Sequence, residues 1–226
     1  MFLNKGIEMA QNQRNYQKEM EKIIEKLQGE RMRLLLHSCC APCSSAVLEK
    51  LQEVFEVTVF FYNPNISEDT EYQKRVVEQK RLIEAFNKKN PDFPIGMIDG
   101  DYNPQEFYQI AKGYENCPEG GERCFRCFRL RLEATAQIAG KESFDFFTTT
   151  LTISPLKNAA KLNEIGEEMA QKYECIWLPS DFKKKEGYKR SIELSKEYDL
   201  YRQDFCGCAF SKAESLKRKM EMNSAN

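Results

Sequence analysis

The sequence predicts an α/β fold in which helices flank a parallel β-sheet. Short apolar runs alternate with segments of helical periodicity about five times along the chain, and parallel strands need crossovers of helical length. With 226 residues the chain is long enough for one such domain with a complete core, and short for two. Right-handed crossovers make the fold Rossmann-like, with ligands expected beyond the carboxyl ends of the strands.

The elements can be assigned in chain order. Residues 1–30 predict a charged helical extension, residues 31–212 a single α/β domain, and residues 213–226 a basic helical tail that frays. The apolar stripe of the extension consists of Tyr16, Met20, Ile23, Ile24 and Leu27. The five strands are expected in RLLLH, FEVTVFFY, FPIGMI, FDFFTTTL and ECIWL. The helices of the domain are expected at residues 44–53, 68–89, 104–112, 124–139, 158–172 and 188–198.

Composition restricts the class of function. The 34 Lys and Arg nearly cancel the 35 Asp and Glu, so no global field attracts nucleic acid or a membrane, and any nucleic-acid contact must be local. No segment has the run of about 18 apolar residues that spans a bilayer, and no signal peptide is evident. We therefore expect a cytosolic protein without a membrane partner. In that reducing compartment, nine cysteines indicate metal ligation or redox catalysis.

Eight of the nine cysteines fall into three groups. These are Cys39, Cys40 and Cys43; Cys117, Cys124 and Cys127; and Cys206 and Cys208. Cys124 and Cys127 are three residues apart at an expected helix start, so they share a face near amides that favour thiolates. With Cys39 and Cys40 at a strand end they supply four thiolates, enough for a tetrahedral zinc or a cubane iron-sulfur cluster. Cys175 is expected to be an ordinary buried thiol.

The residues available as ligands limit which metal or cluster the protein could bind. His37 is the single histidine, which excludes sites with several imidazoles. Structural zinc remains an alternative, but it usually stabilises small loop-rich modules, so iron-sulfur is favoured. In an extended segment the Cα atoms of Cys206 and Cys208 would lie about 6.6 Å apart, near the upper limit for a disulfide. Such a bond would be strained and easily reduced, which suits electron transfer.

Five separated motifs resemble those of a known family. HSCCAPC, YNPNI, CPEGGERCFRCFRLRLEATA, TTTLTISPLKN and YRQDFCGCAFS occur in this order within residues 33–212. They resemble the QueH-type epoxyqueuosine reductases. The resemblance implies an adenine-nucleotide alpha-hydrolase (HUP-like) fold with a Rossmann-like sheet. It also implies an oxidoreductase that removes the epoxide oxygen from epoxyqueuosine at the wobble position of tRNA, giving queuosine.

The resemblance further implies a set of ligands and redox residues. A [4Fe-4S] cluster would be held by Cys39, Cys40, Cys124 and Cys127. Cys206 and Cys208 would form a redox-active pair. Cys43 and Cys117 lie in matching motifs where the family often has another residue, so they are left out of the cluster assignment. An arrangement with three cysteines on the cluster and others on an additional iron is also compatible with the sequence.

Residues that could contact the substrate lie near these cysteines. The partners implied are tRNA carrying epoxyqueuosine and an external electron donor. His37 shares its side of the strand with Cys39 and is either a catalytic residue or a histidine whose partners are backbone groups. The candidate substrate-binding residues are Thr150, Thr152, Ser154, Tyr201 and Arg202. The threonines also have a plain structural explanation, because threonine favours strands and serine caps helices.

Two other functions remain open from the residues. The first is iron-sulfur-dependent sulfur transfer or desulfuration on the same fold, although the glycines of an ATP phosphate loop are missing from the first turn. The second is a non-catalytic, zinc-stabilised RNA-binding protein. The basic and aromatic stretch at residues 182–190 favours a local contact with RNA in either case.

Overall fold

A computed structural model describes residues 14–224, which form a five-stranded parallel sheet covered by helices on both faces. The strands are β1 (Arg33–His37), β2 (Glu56–Phe61), β3 (Gly96–Asp99), β4 (Phe146–Thr149) and β5 (Ile176–Trp177). The helices are α1 (Tyr16–Lys26), α2 (Ala41–Leu51), α3 (Asp69–Lys89), α4 (Pro104–Ala111), α5 (Glu122–Lys141), α6 (Ala159–Lys172), α7 (Gly187–Glu197) and α8 (Ala209–Ser224). The α/β fold class predicted from the sequence is confirmed.

The strand order places a natural binding crevice at the centre of the sheet. The order is β3-β2-β1-β4-β5, so the chain builds outward from β1 on one side and then returns to build outward on the other. β1 therefore pairs in parallel with both β2 and β4. The crossover between these two directions leaves a crevice beyond the carboxyl ends of β1 and β4, where ligands bind in folds of this kind.

The core has two layers because β1 is buried on both faces. Leu34 and Leu36 pack against α1, α2, α3 and α7, whereas Leu35 packs against α5 and α6 on the opposite face. All three leucines are fully buried. A strand buried on both sides carries a continuous apolar run instead of an alternating one, which explains why RLLLH was recognisable as a strand.

The two terminal helices pack onto the domain. Met20 of α1 is fully buried in the same core layer as Leu34, so the described part of the N-terminal extension contributes to the core. Residues 1–13 of that extension, and residues 225–226 of the tail, lie outside the described residues. Helix α8 begins at Ala209, before the expected domain boundary at residue 213. Across residues 14–224, no helix is both long enough and apolar enough to cross a membrane. The cytosolic location stays a prediction.

Several element boundaries differ from those expected, and the physical reason is clearest for two of them. Helix α2 begins at Ala41 and not at residue 44, because Pro42 has the backbone angle of a first helical turn. The strand expected through FDFFTTTL ends at Thr149, where the hydroxyl of Thr149 accepts from the amide of Leu151 and starts a 3₁₀ helix (Thr150–Ile153). Strand β5 contains only two residues of ECIWL. The shorter β4 turns the threonine run toward the carboxyl edge of the sheet.

A buried amide holds the segment that follows β5. The side-chain oxygen of Asn163 on α6 accepts from the indole of Trp177 at 3.0 Å and from the amide of Ser180 at 2.9 Å. Its amide group donates to the carbonyls of Ala159 and Ser180, both at 2.8 Å. All four hydrogen-bonding positions of this fully buried side chain are therefore occupied by the chain itself. Asn163 fixes the end of the sheet relative to α6.

Replacing Asn163 by Leu should destabilise the fold by about 3 kcal/mol, because the indole of Trp177 and both backbone groups of Ser180 would be buried without partners. Urea unfolding followed by circular dichroism measures the loss. The matched control is Gln171→Ala on the exposed face of the same helix, which should change stability by less than about 0.5 kcal/mol. Equal midpoints for Asn163→Leu and the unmodified chain would contradict this role.

Candidate metal centre and active site

Three thiols meet where β1 passes into α2. Cys39 and Cys40 follow the strand, and Cys43 lies in the first turn of α2, three residues after Cys40. The Sγ atoms of Cys39, Cys40 and Cys43, here named the first thiol group, lie within 4.8 Å of one another. The sulfurs of Cys39 and Cys40 are 3.7 Å apart. Three donors at these distances can ligate one metal ion or one face of a cluster.

The spacing of Cys40 and Cys43 in the sequence explains why Cys43 lies in the first thiol group. Cys40 and Cys43 are separated by two residues at the start of a helix, the same C-x-x-C spacing that singled out Cys124 and Cys127. With the helix starting at Ala41, positions three apart share a face, and the third thiol joins the group.

Hydrogen bonding within the first thiol group favours one negative charge at Cys39. Interaction with the thiols of Cys40 and Cys43 lowers the pKa of Cys39 well below its usual range, although burial opposes the shift. Hydrogen bonding to Cys39 raises the pKa of Cys40 to about 11, although the contact with Cys43 opposes this shift. Contacts with Cys39 and Cys40 raise the pKa of Cys43 well above its usual range. The group is therefore a thiolate with two thiol neighbours until a cation replaces their protons.

Four further thiols line an adjacent cavity and form the second thiol group, Cys124, Cys127, Cys206 and Cys208. Cys124 and Cys127 lie in the first two turns of α5, and the other two precede α8. Burial raises the pKa of Cys127 to about 12 and that of Cys124 to about 11. Burial also raises the pKa of Cys208. Such thiols stay protonated unless a metal or a cation compensates their charge.

Cys206 connects the two thiol groups. It lines the cavity of the second thiol group and also a larger, open cavity of about 400 Å³, whose wall includes Cys39, Cys40 and Cys43. Seven of the nine cysteines thus converge at the carboxyl edge of the sheet. In contrast, Cys117 and Cys175 line neither cavity; the thiol of Cys175 contacts the carbonyl of Ala136 at 3.7 Å. All seven converging cysteines are free thiols.

The loop that carries Cys206 and Cys208 is bent, not extended as expected. Gly207 has φ +125°, a conformation that favours glycine, and a Cβ there would lie 2.9 Å from Ile66 and 3.3 Å from Arg75. Arg75 of α3 is almost fully buried and donates to the carbonyl of Cys206 at 3.0 Å. The guanidinium also pairs with Glu71 at 2.7 Å. This contact fixes the loop against α3.

Two of the five candidate substrate-binding residues line the open cavity. Ser154 and Arg202 lie on its wall. The remaining three, Thr150, Thr152 and Tyr201, are not among its lining residues. Tyr201 instead donates to Glu71 at 3.0 Å and so supports the loop of Cys206 through Arg75.

Of the two buried threonines, Thr150 contacts the first thiol group and Thr152 contacts the segment after β5. The hydroxyl of Thr150 lies 3.5 Å from the sulfur of Cys39 and accepts from the amide of Cys39 at 3.3 Å. The hydroxyl of Thr152 contacts Ser180 at 3.1 Å. Both threonines are fully buried, so they shape the floor of the crevice and are not exposed to solvent.

His37 is fully buried beneath the thiols and lines neither cavity. Its Nδ1 lies 2.7 Å from the hydroxyl of Thr149, the residue paired with it in β4. Arg131 of α5 donates from Nε to His37 Nε2 at 3.2 Å. Burial, followed by the charge of Arg131, lowers the pKa of His37 to about 3, so the imidazole is neutral at physiological pH.

Four cations line the open cavity, namely Arg75, Lys157, Arg202 and Arg218, and the basic stretch at residues 182–190 contributes none of them. Lys157 and Arg202 lie on its wall, and the Nζ of Lys157 forms no ion pair with a carboxylate among residues 14–224. Burial lowers the pKa of Lys157, but the nearby thiols of Cys206, Cys39 and Cys43 raise it overall. Several cations of residues 182–190 are paired within the protein; the pairs are Lys183–Asp181, Lys185–Glu21, Lys189–Glu186 and Arg190–Glu49.

Comparisons with known proteins identify the family of this chain. A family model described as epoxyqueuosine reductase QueH matches residues 34–214. The chain is 40% identical to the epoxyqueuosine reductase QueH of Staphylococcus epidermidis, over 99% of this chain and 94% of that protein. It is 41% identical to that of Streptococcus pyogenes, over 90% and 80% of the two chains. For Thermotoga maritima the identity is 37%, over 84% and 95%. The chain therefore belongs to the QueH family of epoxyqueuosine reductases.

Proposed function

We propose that this protein removes the epoxide oxygen from epoxyqueuosine in tRNA and thereby forms queuosine. The observation that carries the proposal is the convergence of seven thiols at two cavities that share Cys206, of which the open one has cations on its wall. The relatives that carry the name of this activity are matched over 94% and 80% of their lengths, which favours it over sulfur transfer and over a non-catalytic zinc protein. The reaction consumes two electrons and two protons and releases water.

The thiols fit an iron-sulfur cluster. The donors of the first thiol group are all sulfur, and thiolates are the ligands that iron-sulfur clusters prefer. The imidazole of His37 is already held by Thr149 and Arg131, so it is not offered as a ligand. The proposed ligands of a [4Fe-4S] cluster are Cys39, Cys40, Cys124 and Cys127. Cys43 is an additional donor for the cluster or for a second iron. When bound, such a cluster supplies electrons one at a time.

Cys206 and Cys208 are proposed to supply the electron pair and protons. Two thiols that become a disulfide release two electrons and two protons, which balances the conversion of an epoxide into an alkene and water. An external thiol or other two-electron donor must then reduce the disulfide. Cys206 lines the open cavity, while Cys208 is buried behind it, so the pair spans the path from solvent to the interior.

The wall of the open cavity suits a nucleotide. Arg202 lies over the ring of Tyr188, with the guanidinium carbon 5.6 Å from the ring centroid, and both residues line the cavity. An aromatic face and a guanidinium plane can hold an unstacked base, while Lys157 and Arg202 can contact the phosphates beside it. Ser154 offers a hydroxyl at the same wall. We therefore propose that the modified nucleotide enters through this cavity with its epoxide directed toward Cys206.

Replacing Cys39 or Cys124 by Ser should abolish iron binding, whereas replacing Cys206 or Cys208 by Ser should abolish turnover and leave the iron in place. The difference arises because the first pair would hold the cluster and the second pair would deliver electrons. Iron and sulfide analysis of protein purified without oxygen, with its violet-blue absorption, measures the first effect. Conversion of epoxyqueuosine into queuosine in tRNA measures the loss of turnover.

The matched control is Cys175→Ser, a thiol outside both cavities that should keep both iron and activity. Loss of iron in the Cys206 or Cys208 variant would reassign that residue as a ligand. Colourless protein with one bound zinc per chain would support the zinc-stabilised alternative and reject the iron-sulfur assignment.

Replacing Arg202 by Gln should weaken binding of the tRNA substrate by about fivefold, which corresponds to about 1 kcal/mol for one lost phosphate or base contact. The dissociation constant is measured by fluorescence anisotropy at two salt concentrations, and the variant should show a shallower salt dependence. The control is Lys184→Gln, an exposed cation that does not line the open cavity. A larger loss for the control than for Arg202→Gln would place the RNA on another surface.

A further inference from the structure

A buried guanidinium lies beneath the thiols with one of its nitrogens unused by the fold. Arg131 of α5 is fully buried, donates from Nε to His37 and donates from Nη2 to the side-chain oxygen of Asn63. Its Nη1 has no hydrogen-bond partner among the described residues. A buried unpaired donor on a charged group is costly, so its retention calls for a partner that the protein chain alone does not supply.

Arg131 lies beside both thiol groups, because it follows Cys127 by one turn of α5 and its Nε contacts His37, two residues before Cys39. Burial lowers the pKa of Arg131, but Cys127, Cys206 and Cys39 together raise it overall. No carboxylate forms an ion pair with Arg131 within residues 14–224, in contrast to Arg123 and Arg129 on the same helix, which pair with Glu214 and Glu168. The positive charge of Arg131 is therefore left for the thiols of both groups.

His37 and Asn63 fix the orientation of this charge. His37 Nε2 lies 3.2 Å from Nε of Arg131, which can only donate, and 3.2 Å from the carbonyl of Tyr62, which can only accept. Because the guanidinium keeps its proton, the tautomer that satisfies Arg131 carries the imidazole proton on Nδ1 and donates it to Thr149. The two acceptors hold Nε and Nη2 of the guanidinium and leave Nη1 without a partner. This assigns the single histidine of the chain to positioning, away from the cavity wall.

We propose that Arg131, positioned by His37 and Asn63, is the fixed counter-charge of the thiol site and raises the reduction potential of the cluster bound there. The proposal rests on the proposed function, because it requires an iron-sulfur cluster at these cysteines. A cluster held by four thiolates gains negative charge on reduction, and a nearby buried cation stabilises the reduced form more than the oxidised form. Removing the cation therefore makes the cluster harder to reduce.

Replacing Arg131 by Gln should lower the ratio of reduced to oxidised cluster at least tenfold at a fixed solution potential, a shift of about 59 mV for a one-electron couple. Redox titration of the loaded protein, followed by electron paramagnetic resonance, measures it. Arg131→Lys keeps the charge and should restore most of the lost potential. Arg129→Gln is the matched control, since this exposed arginine on the same helix pairs with Glu168, and it should not change the potential.

An unchanged potential in loaded Arg131→Gln protein would overturn the proposal, as would an equal loss in Arg131→Lys. If Arg131→Gln does not fold or load iron, Thr149→Val decides. This nearly isosteric change removes the acceptor of His37 Nδ1, so the imidazole no longer has to present an acceptor to Arg131, and a smaller fall of the potential is expected. No fall there would overturn the positioning role. These outcomes are separate from failure of the proposed function, which would appear as unmodified tRNA or absent iron.

Discussion

The compensation of charge at a buried thiol site is the constraint on which the rest of this structure depends. Sulfur ligands bind metals as thiolates, yet burial raises the pKa of Cys124 and Cys127 and keeps these thiols neutral. The protein meets the problem with cations inside the fold. Arg131 and Arg75 are buried within or beside the site, and Lys157 lies on its wall. The same residues that neutralise charge also fix the loops from which the thiols project.

The sheet topology makes this convergence possible with segments far apart in sequence. The first thiol group follows β1, the central strand, whereas the second thiol group comes from the start of α5 and from the loop before α8. The first thiol group lies at the carboxyl end of β1, and the loops that precede α5 and α8 bring the second thiol group to the same edge. The hydrogen bond between His37 and Thr149 connects β1 to β4 at the same edge and supports the site from below.

Local patterns were sufficient to predict the fold and the cysteine groups, but not the partners of individual side chains. Alternating strand and helix segments identified all five strands, because strands buried on both faces carry continuous apolar runs. The start of α2 was expected three residues too late, because the first helical turn is set by Pro42, and this turn brings Cys43 beside Cys39 and Cys40. Thr152 and Tyr201 matched a binding pattern in sequence, yet their hydroxyls contact Ser180 and Glu71. Such contacts depend on tertiary packing between segments distant in the chain.

The loop that carries Cys206 completes the wall of the open cavity. This loop is the last of the thiol-bearing segments to leave the ribosome, after the whole sheet has been synthesised. Until Arg75 donates to the carbonyl of Cys206, the part of the cavity wall formed by this loop is missing. A chain cut short before residue 202 would therefore lack the wall formed by residues 202–206, and its first thiol group would be more accessible to solvent.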